Sequence, residues 1–257
     1  MKKPVCGFVA FDKANEKYYD RFLKSLRKFH SEEELPIFVW DEHKIKSYND
    51  PEFFFRQKPI IGRQLLKDYE LVIGFDVDQI ITGDLNEIIN EKNYDMAAPL
   101  NWNRIDPQLF GPVTVWNIAP TSYFNCGIVA MRNREFVEKW FRLCNSGHFA
   151  SYKYREQDLM NIMAFYFDYK SMNLDAEKSW FGLISKGEMP KFQMAVDKDT
   201  NYGAKLICPA APDRFPNQDM TVKVIHFAGG QGAGDKFDYY RTHCAPEVVE
   251  YLDWLIK

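Results

Sequence analysis

The chain has no CxxC pair, no Lys/Arg run longer than a pair and no low-complexity linker. No apolar stretch approaches the ~18 residues of a membrane span. Its five cysteines, Cys6, Cys126, Cys144, Cys208 and Cys244, are odd in number and widely spaced. That excludes a zinc–cysteine site and argues against a disulfide scaffold, so a reducing compartment is expected. The opening MKKPVCGFVAF carries two lysines, but a proline and a short strand-like run stand where a signal peptide needs a longer apolar core. The expected location is cytoplasmic. Without basic tracts or a nucleic-acid motif, a net charge of -3 argues against a nucleic-acid surface.

The 257 residues, 46% of them hydrophobic, suffice for one substantial core. Aromatic residues make up 16%, which leaves rings to spare for stacking on sugars or bases. Val5 to Ala10, Ile37 to Trp40, Leu71 to Phe75, Met96 to Pro99 and Gly127 to Met131 read as strands. Helical spacing links Tyr19, Phe22, Leu23 and Leu26, and a second helix runs from Lys58 to Tyr69, starting near Pro59. Asp84 can cap a short helix from Leu85 to about Asn90. Asn133 can cap another with Val137, Trp140, Phe141 and Cys144 on one face, and a further helix carries Leu159, Ile162, Met163 and Tyr166. Thr221 to His226 reads as one late strand, and Pro246 opens a final helix with Val248, Leu252 and Leu255 inward. Strands alternating with helices imply an α/β fold with a mostly parallel sheet. No repeat divides the chain, so a single domain over 1–257 is expected. The irregular run from Asn101 to Tyr123 reads as a long, functional loop.

The segment LVIGFDVDQIITGDL carries Asp76 and Asp78 two residues apart at the end of an apolar run. On a strand both would point one way, roughly 6 to 7 Å apart. Like charges at that distance repel by roughly 2 to 3 kcal/mol at a dielectric near 20, so something cationic is expected there. A second Asp-x-Asp, Asp197-Lys-Asp199, sits in a polar context and reads as a solvated turn. Asp76 and Asp78 differ by standing at the carboxyl end of a buried strand, where open α/β sheets place ligands. Carboxylates suit Mg or Mn, and His226, ending an apolar strand, is the candidate third ligand that tilts the choice toward Mn. His30, His43, His148 and His243 stand in polar contexts and are expected at the surface. GGQGAG, from Gly229 to Gly234, misses the dinucleotide fingerprint in register and better fits a backbone path beside phosphates, with Lys236 as counter-charge. Asn125 and Gly127 precede a buried strand, where an amide could reach into a site. Acids in the first turn of the helix from Glu156 through Gln157 and Asp158 are also explained by the helix dipole.

In this order, FDVD, FNCG, EQD and HFAG resemble elements of the GT-A glycosyltransferases, most closely the retaining family eight of glycogenin and the bacterial lipooligosaccharide galactosyltransferases. The resemblance runs from the first strand to Lys236. It implies a Rossmann-like GT-A domain, with about 1–100 binding the nucleotide and about 101–257 the donor sugar and acceptor. It further implies that Asp76, Asp78 and His226 hold Mn or Mg on the diphosphate of a nucleotide sugar, UDP-linked by analogy. Asp12 would meet the base, while Arg63, Asn125, Glu156 and Asp158 would hold the sugar. Gln157 matches the residue beside the anomeric carbon, Gly127 and Gly229 match donor-binding positions, and Lys236 is a further donor-binding candidate. A neutral Gln157 favours retention; Glu156 and Asp158 keep an inverting mechanism open. The family's Lys-Pro-Trp after His-x-x-Gly is absent, since Gly232, Ala233 and Gly234 stand there and Lys236 would substitute from a longer loop. Trp102 and Trp116 could stack on an acceptor, which would be a saccharide, a lipid-linked glycan or a protein. The final helix could lean on a membrane or a partner. A sugar-1-phosphate nucleotidyltransferase is disfavoured because VAFDKANEKYY lacks a Gly-rich triphosphate loop. A non-catalytic nucleotide-sugar-binding relative is the remaining alternative.

Overall fold

The computed structural model describes residues 2–101, 122–147, 149–175, 179–182, 194–198, 204–209, 219–227 and 238–257. Two compact units, interleaved along the chain, contain them. The first comprises Met1–Ala14, Glu32–Asp76 and Asn86–Leu174; the second comprises Asn15–Ser31, Val77–Leu85 and Asp175–Lys257.

The first unit is built on a six-stranded sheet of β1 (Lys3–Ala10), β2 (Ile37–Trp40), β3 (Tyr69–Phe75), β5 (Met96–Ala98), β6 (Ile128–Met131) and β7 (Ser171–Asn173). Their spatial order is β2-β1-β3-β6-β5-β7, parallel except for β6, which runs against both its neighbours. Val5 to Ala10 and Leu71 to Phe75 are buried along their whole lengths, as continuous apolar runs require when a sheet is covered on both faces. The chain leaves β1 for β2 on one side and β3 lies on the other, so the carboxyl ends of β1 and β3 form a topological switch point. Asp12 follows β1 and Asp76 follows β3 at that point, with Val9 and Phe75 in register.

Helices α3 (Gln57–Leu65), α5 (Arg134–Cys144) and α6 (Glu156–Tyr166) pack in succession. Asn133 caps α5 as expected, its Oδ1 accepting from Glu135 N and Phe136 N. Helix α3 begins two residues before Pro59 and buries every residue from Gln57 to Gly62, so no exposed face marks it in the sequence. Tyr166, expected on the inward face of α6, is 49% exposed, because the helix ends there and its last turn leaves the core. Helix α2 (Glu42–Ser47), capped by Asp41, is too short to show a period in the sequence.

In the second unit, α1 (Glu16–Arg27) packs on β4 (Gln79–Ile81), which pairs antiparallel with β12 (Val224–His226). The expected strand from Thr221 to His226 is two strands: β11 (Asp219–Val222) belongs to a sheet with β8 (Ser179–Trp180), β9 (Ala195–Asp197) and β10 (Lys205–Pro209). The break falls at Lys223, whose ammonium turns to Asp84 at 3.0 Å. His30 is not a surface residue. It is buried, and its Nε2 accepts from Leu85 N at 2.8 Å. Ser25 Oγ accepts from Ile81 N at 3.0 Å, so α1 and the turn after it hold the backbone that follows the two aspartates. Helices α7 (Asp238–His243) and α8 (Pro246–Leu255) close the chain; α8 buries Val248, Tyr251, Leu252 and Leu255 and leaves Trp254 exposed beneath the Lys28 ammonium. No helix among the described residues is long and apolar enough to cross a membrane.

Trp140 of α5 is fully buried, and its indole N–H donates to Glu156 O at 2.9 Å, which fixes the first turn of α6. Trp140→Ala is expected to cost about 3 to 5 kcal/mol in urea unfolding, through lost packing and an orphaned carbonyl. A loss below about 1 kcal/mol would contradict that role.

Candidate active site

Asp76 ends the second segment of the first unit, and only Val77 separates it from Asp78, the second residue of the other unit's segment that follows. Asp76 N donates to Gly127 O at 2.7 Å, so the end of β3 is tied to the start of β6. The cation that the sequence demanded for Asp76 is Lys58 of α3, whose ammonium forms a short ion pair with Asp76 Oδ1. Lys58 is only 1% exposed. Burial by itself drives its ammonium toward the neutral form, but the charge of Asp76, joined by Cys126 and Glu156 once these ionise, outweighs burial and raises the ammonium's pKa well above its usual value. Arg63, five residues further on, turns instead to Glu138 at 3.6 Å and over the Phe141 ring. No sequence signal marks Lys58, since a lysine in a helix's first turn reads as a solvated residue.

Glu156, Gln157 and Asp158 open α6 and are all buried. Gln157 Oε1 accepts from Cys126 N at 2.9 Å and from Asn125 Nδ2 at 3.2 Å, while Asn125 Oδ1 accepts from Gly127 N at 2.8 Å. The Asn-x-Gly and acid-Gln-Asp elements are therefore one hydrogen-bonded assembly. Asn161, which sequence reasoning passed over, sews it together: its Oδ1 accepts from Phe124 N at 2.7 Å, and its Nδ2 donates to Phe124 O and Gln157 O. Asp158 accepts from Tyr123 OH in a short bond and from Tyr154 N at 2.9 Å. Its pKa is nevertheless raised to about 6, because burial outweighs those two donors. Burial lifts Glu156 further, to about 8, against the pull of Lys58. The Cys126 thiol, 3.6 Å from Glu156 Oε1, and the Tyr123 hydroxyl are held protonated by burial.

Both acids stand in the first turn of α6, where the helix dipole favours them. The N-cap, Arg155, makes no side-chain cap and adopts φ 48°, ψ -119°, a backbone conformation that L residues rarely adopt. Its guanidinium donates to Ala150 O and Tyr152 O and lies over the Phe55 and Phe149 rings, which holds it there.

In the second unit, His226 Nε2 lies 3.2 Å from Asp78 Oδ1, and Phe227 N donates to Asp78 O at 3.0 Å. An imidazole nitrogen and a carboxylate oxygen this close form two corners of a site suited to a borderline divalent cation. Gly229, Lys236, Asp199, His148, Trp102 and Trp116 lie outside the described residues, as does most of the run from Asn101 to Tyr123.

The sequence matches no protein-family model and no curated protein. Solved structures that resemble it are glycosyltransferases, and the chain has their GT-A fold. One is WbbM, a bifunctional glycosyltransferase, with a TM-score of 0.59 and 14% identity over 99% of this chain. Another is the galactosyltransferase LgtC in complex with donor and acceptor sugar analogs, at TM-score 0.53 and 18% identity, covering 98% of this chain and 95% of LgtC. The glycosyltransferase GlyE of Streptococcus pneumoniae TIGR4 aligns at TM-score 0.51 and 14% identity over 99% of this chain. The chain spans 52% of the length of WbbM and 63% of that of GlyE.

Glu156 keeps its proton up to about pH 8 in the folded chain against an ordinary 4.5, so the folded state binds the extra proton across that window. Stability therefore falls as pH rises through it. The charged and titratable groups facing Glu156 include Lys58, Asp76, Cys126 and Cys144. Asp158 shifts the same way but is spent by about 6, so of these two carboxyls only Glu156 contributes between about 6 and about 8. Glu156→Gln is expected to flatten the pH dependence of urea-unfolding stability there; an unchanged slope would contradict a buried, protonated Glu156.

Proposed function

We propose that this chain is, over 1–257, a metal-dependent glycosyltransferase that moves a hexose from a nucleotide sugar, UDP-linked, to a saccharide, lipid-linked or protein acceptor, with retention of anomeric configuration. The observation that carries the reading is the union of Asn125, Gly127 and Gln157 in one hydrogen-bonded assembly beside the end of β3, on a fold shared with glycosyltransferases. We assign the cation to Asp76, Asp78 and His226, a reading supported by the 3.2 Å approach of His226 Nε2 to Asp78 Oδ1. Two carboxylate oxygens and an imidazole nitrogen suit Mn, with Mg as the alternative.

A divalent cation held there would act as a Lewis acid on the departing diphosphate. The remaining tasks belong to the chain itself. Asp12, at the switch point, meets the nucleoside. The donor-side cation that the sequence suggested at Arg63 is assigned to Lys58, which already holds Asp76. Gln157 and Asn125 present amides to the sugar as it becomes oxocarbenium-like. Retention is favoured over inversion because neither carboxyl of the EQD element is a ready base: burial keeps Glu156 protonated to about pH 8, and Asp158 is fully buried under two donors. A reducing, cytoplasmic setting agrees with five cysteines that are all free.

The test is a thermal-shift panel of UDP, GDP and CMP and their sugar conjugates, with and without Mn. A ligand at a hundred times its dissociation constant adds about 2.7 kcal/mol, so one nucleotide class is expected to raise Tm only with metal. Asp78→Ala is expected to abolish that shift while Asp197→Ala, on β9, keeps it; equal behaviour of the two would overturn the site. Stabilisation by none of these ligands would leave a non-catalytic relative as the better reading. Gln157→Ala is expected to lower kcat roughly 100-fold while donor affinity changes far less. Full turnover in that variant would remove Gln157 from the reaction.

A further inference from the structure

Gln79 is the first residue of β4 and follows Asp78 directly. It is fully buried, and neither its Oε1 nor its Nε2 has a hydrogen-bond partner. The two residues after it, Ile80 and Ile81, are apolar and fully buried as well, so an apolar side chain would suit the position. A buried amide left without partners destabilises the fold, and its retention calls for a partner that arrives with function.

The β-ladder places a candidate for that partner on the same face. Gln79 stands directly opposite His226 in the antiparallel pair of β4 and β12. Opposed residues in such a pair project to one face, with Cβ atoms roughly 4.5 to 5.5 Å apart. His226 directs Nε2 at Asp78, which leaves Nδ1 as its other nitrogen. Facing a carboxylate at 3.2 Å, Nε2 is placed to donate a proton. Coordination of a cation needs the Nε2 lone pair instead, and the ring proton must then sit on Nδ1 and be accepted by something.

We propose that Gln79 is a positioning residue for His226, whose amide oxygen accepts the Nδ1 proton, directly or through one shared water, when a divalent cation binds Nε2. The inference rests on the metal reading above. It gives the orphaned amide a physical purpose: the residue is held in reserve for the tautomer of His226 that binds metal.

The experiment is a Mn titration of the full chain, followed by the electron paramagnetic resonance of free Mn, beside melting temperatures without metal. Gln79→Leu is expected to weaken Mn binding about 10- to 100-fold. Its metal-free Tm should be unchanged or raised, since the orphaned amide is gone. Gln79→Met, closer in length, repeats the test should the leucine disturb packing. Gln79→Glu restores an acceptor and is expected to bind Mn within about threefold of wild type. Mn affinity in Gln79→Leu and Gln79→Met equal to wild type would overturn this inference alone, as would a Gln79→Glu variant as weak as the leucine. No Mn binding by the wild-type chain would overturn the metal reading and this inference with it.

Discussion

The ion pair of Lys58 with Asp76 is the constraint from which the first unit's architecture follows. Three groups able to carry negative charge, Asp76, Glu156 and Cys126, surround one ammonium that water barely reaches. Opposite charges about 4 Å apart attract by roughly 4 kcal/mol at an effective dielectric of 20, which can offset burial of a single ammonium but cannot neutralise three anions. The balance is struck by protonation: the thiol and Glu156 keep their protons, and Asp76 alone carries the charge that Lys58 meets. Packing beneath the strand is tight as well. A Cβ at Gly74, two residues before Asp76, would come within 2.7 Å of Phe8 Cζ, so glycine there leaves room for the buried Phe8 ring, while Lys58 Cγ at 3.5 Å would be in ordinary contact.

The same site is stiff on its other side. Helix α6 starts without a side-chain cap and from a residue in an unfavourable backbone region, a combination worth of order 1 to 3 kcal/mol of strain. What holds it is redundancy: Trp140 on the Glu156 carbonyl, Asn161 on Phe124 and Gln157, Tyr123 and Tyr154 N on Asp158. Each contact reaches a different part of the first turn, so the Gln157 amide is left with a narrow choice of orientation. Pre-organisation of this kind lets a neutral amide stabilise developing charge without reorganising.

The sheet is legible in the sequence because its first strands are continuous apolar runs with an aspartate at or just past their ends, too short for a buried helix and too apolar for a loop. FNCG and EQD are legible as elements, though their union through Gln157 Oε1 is not, since nothing in the sequence states that residues 32 positions apart share a hydrogen bond. Lys58 escapes because α3 is buried through its first six residues, which erases the amphipathic period that would set a buried lysine apart. His30 escapes for the opposite reason: its neighbours Ser31 and Glu32 are polar, yet its ring faces the Leu85 N–H across the fold. Gln79 is concealed within an apolar strand, because one amide between Asp78 and two isoleucines does not disturb the pattern. Burial without a partner is a property of the folded chain alone.

On the proposed reading, these protonation states decide where the acceptor's proton goes. A base on the acceptor side would have to be an ionised carboxylate with a free lone pair. Glu156 is uncharged at neutral pH, and the two oxygens of Asp158 each accept a hydrogen bond in a site closed to water. Gln157 has no basicity to offer. The departing diphosphate is then the strongest base within reach, and it stands on the face of the sugar it has just left. Attack from that face is retention, so the stereochemical expectation follows from a neutral Glu156 and a fully hydrogen-bonded Asp158, independently of the identity of the acceptor.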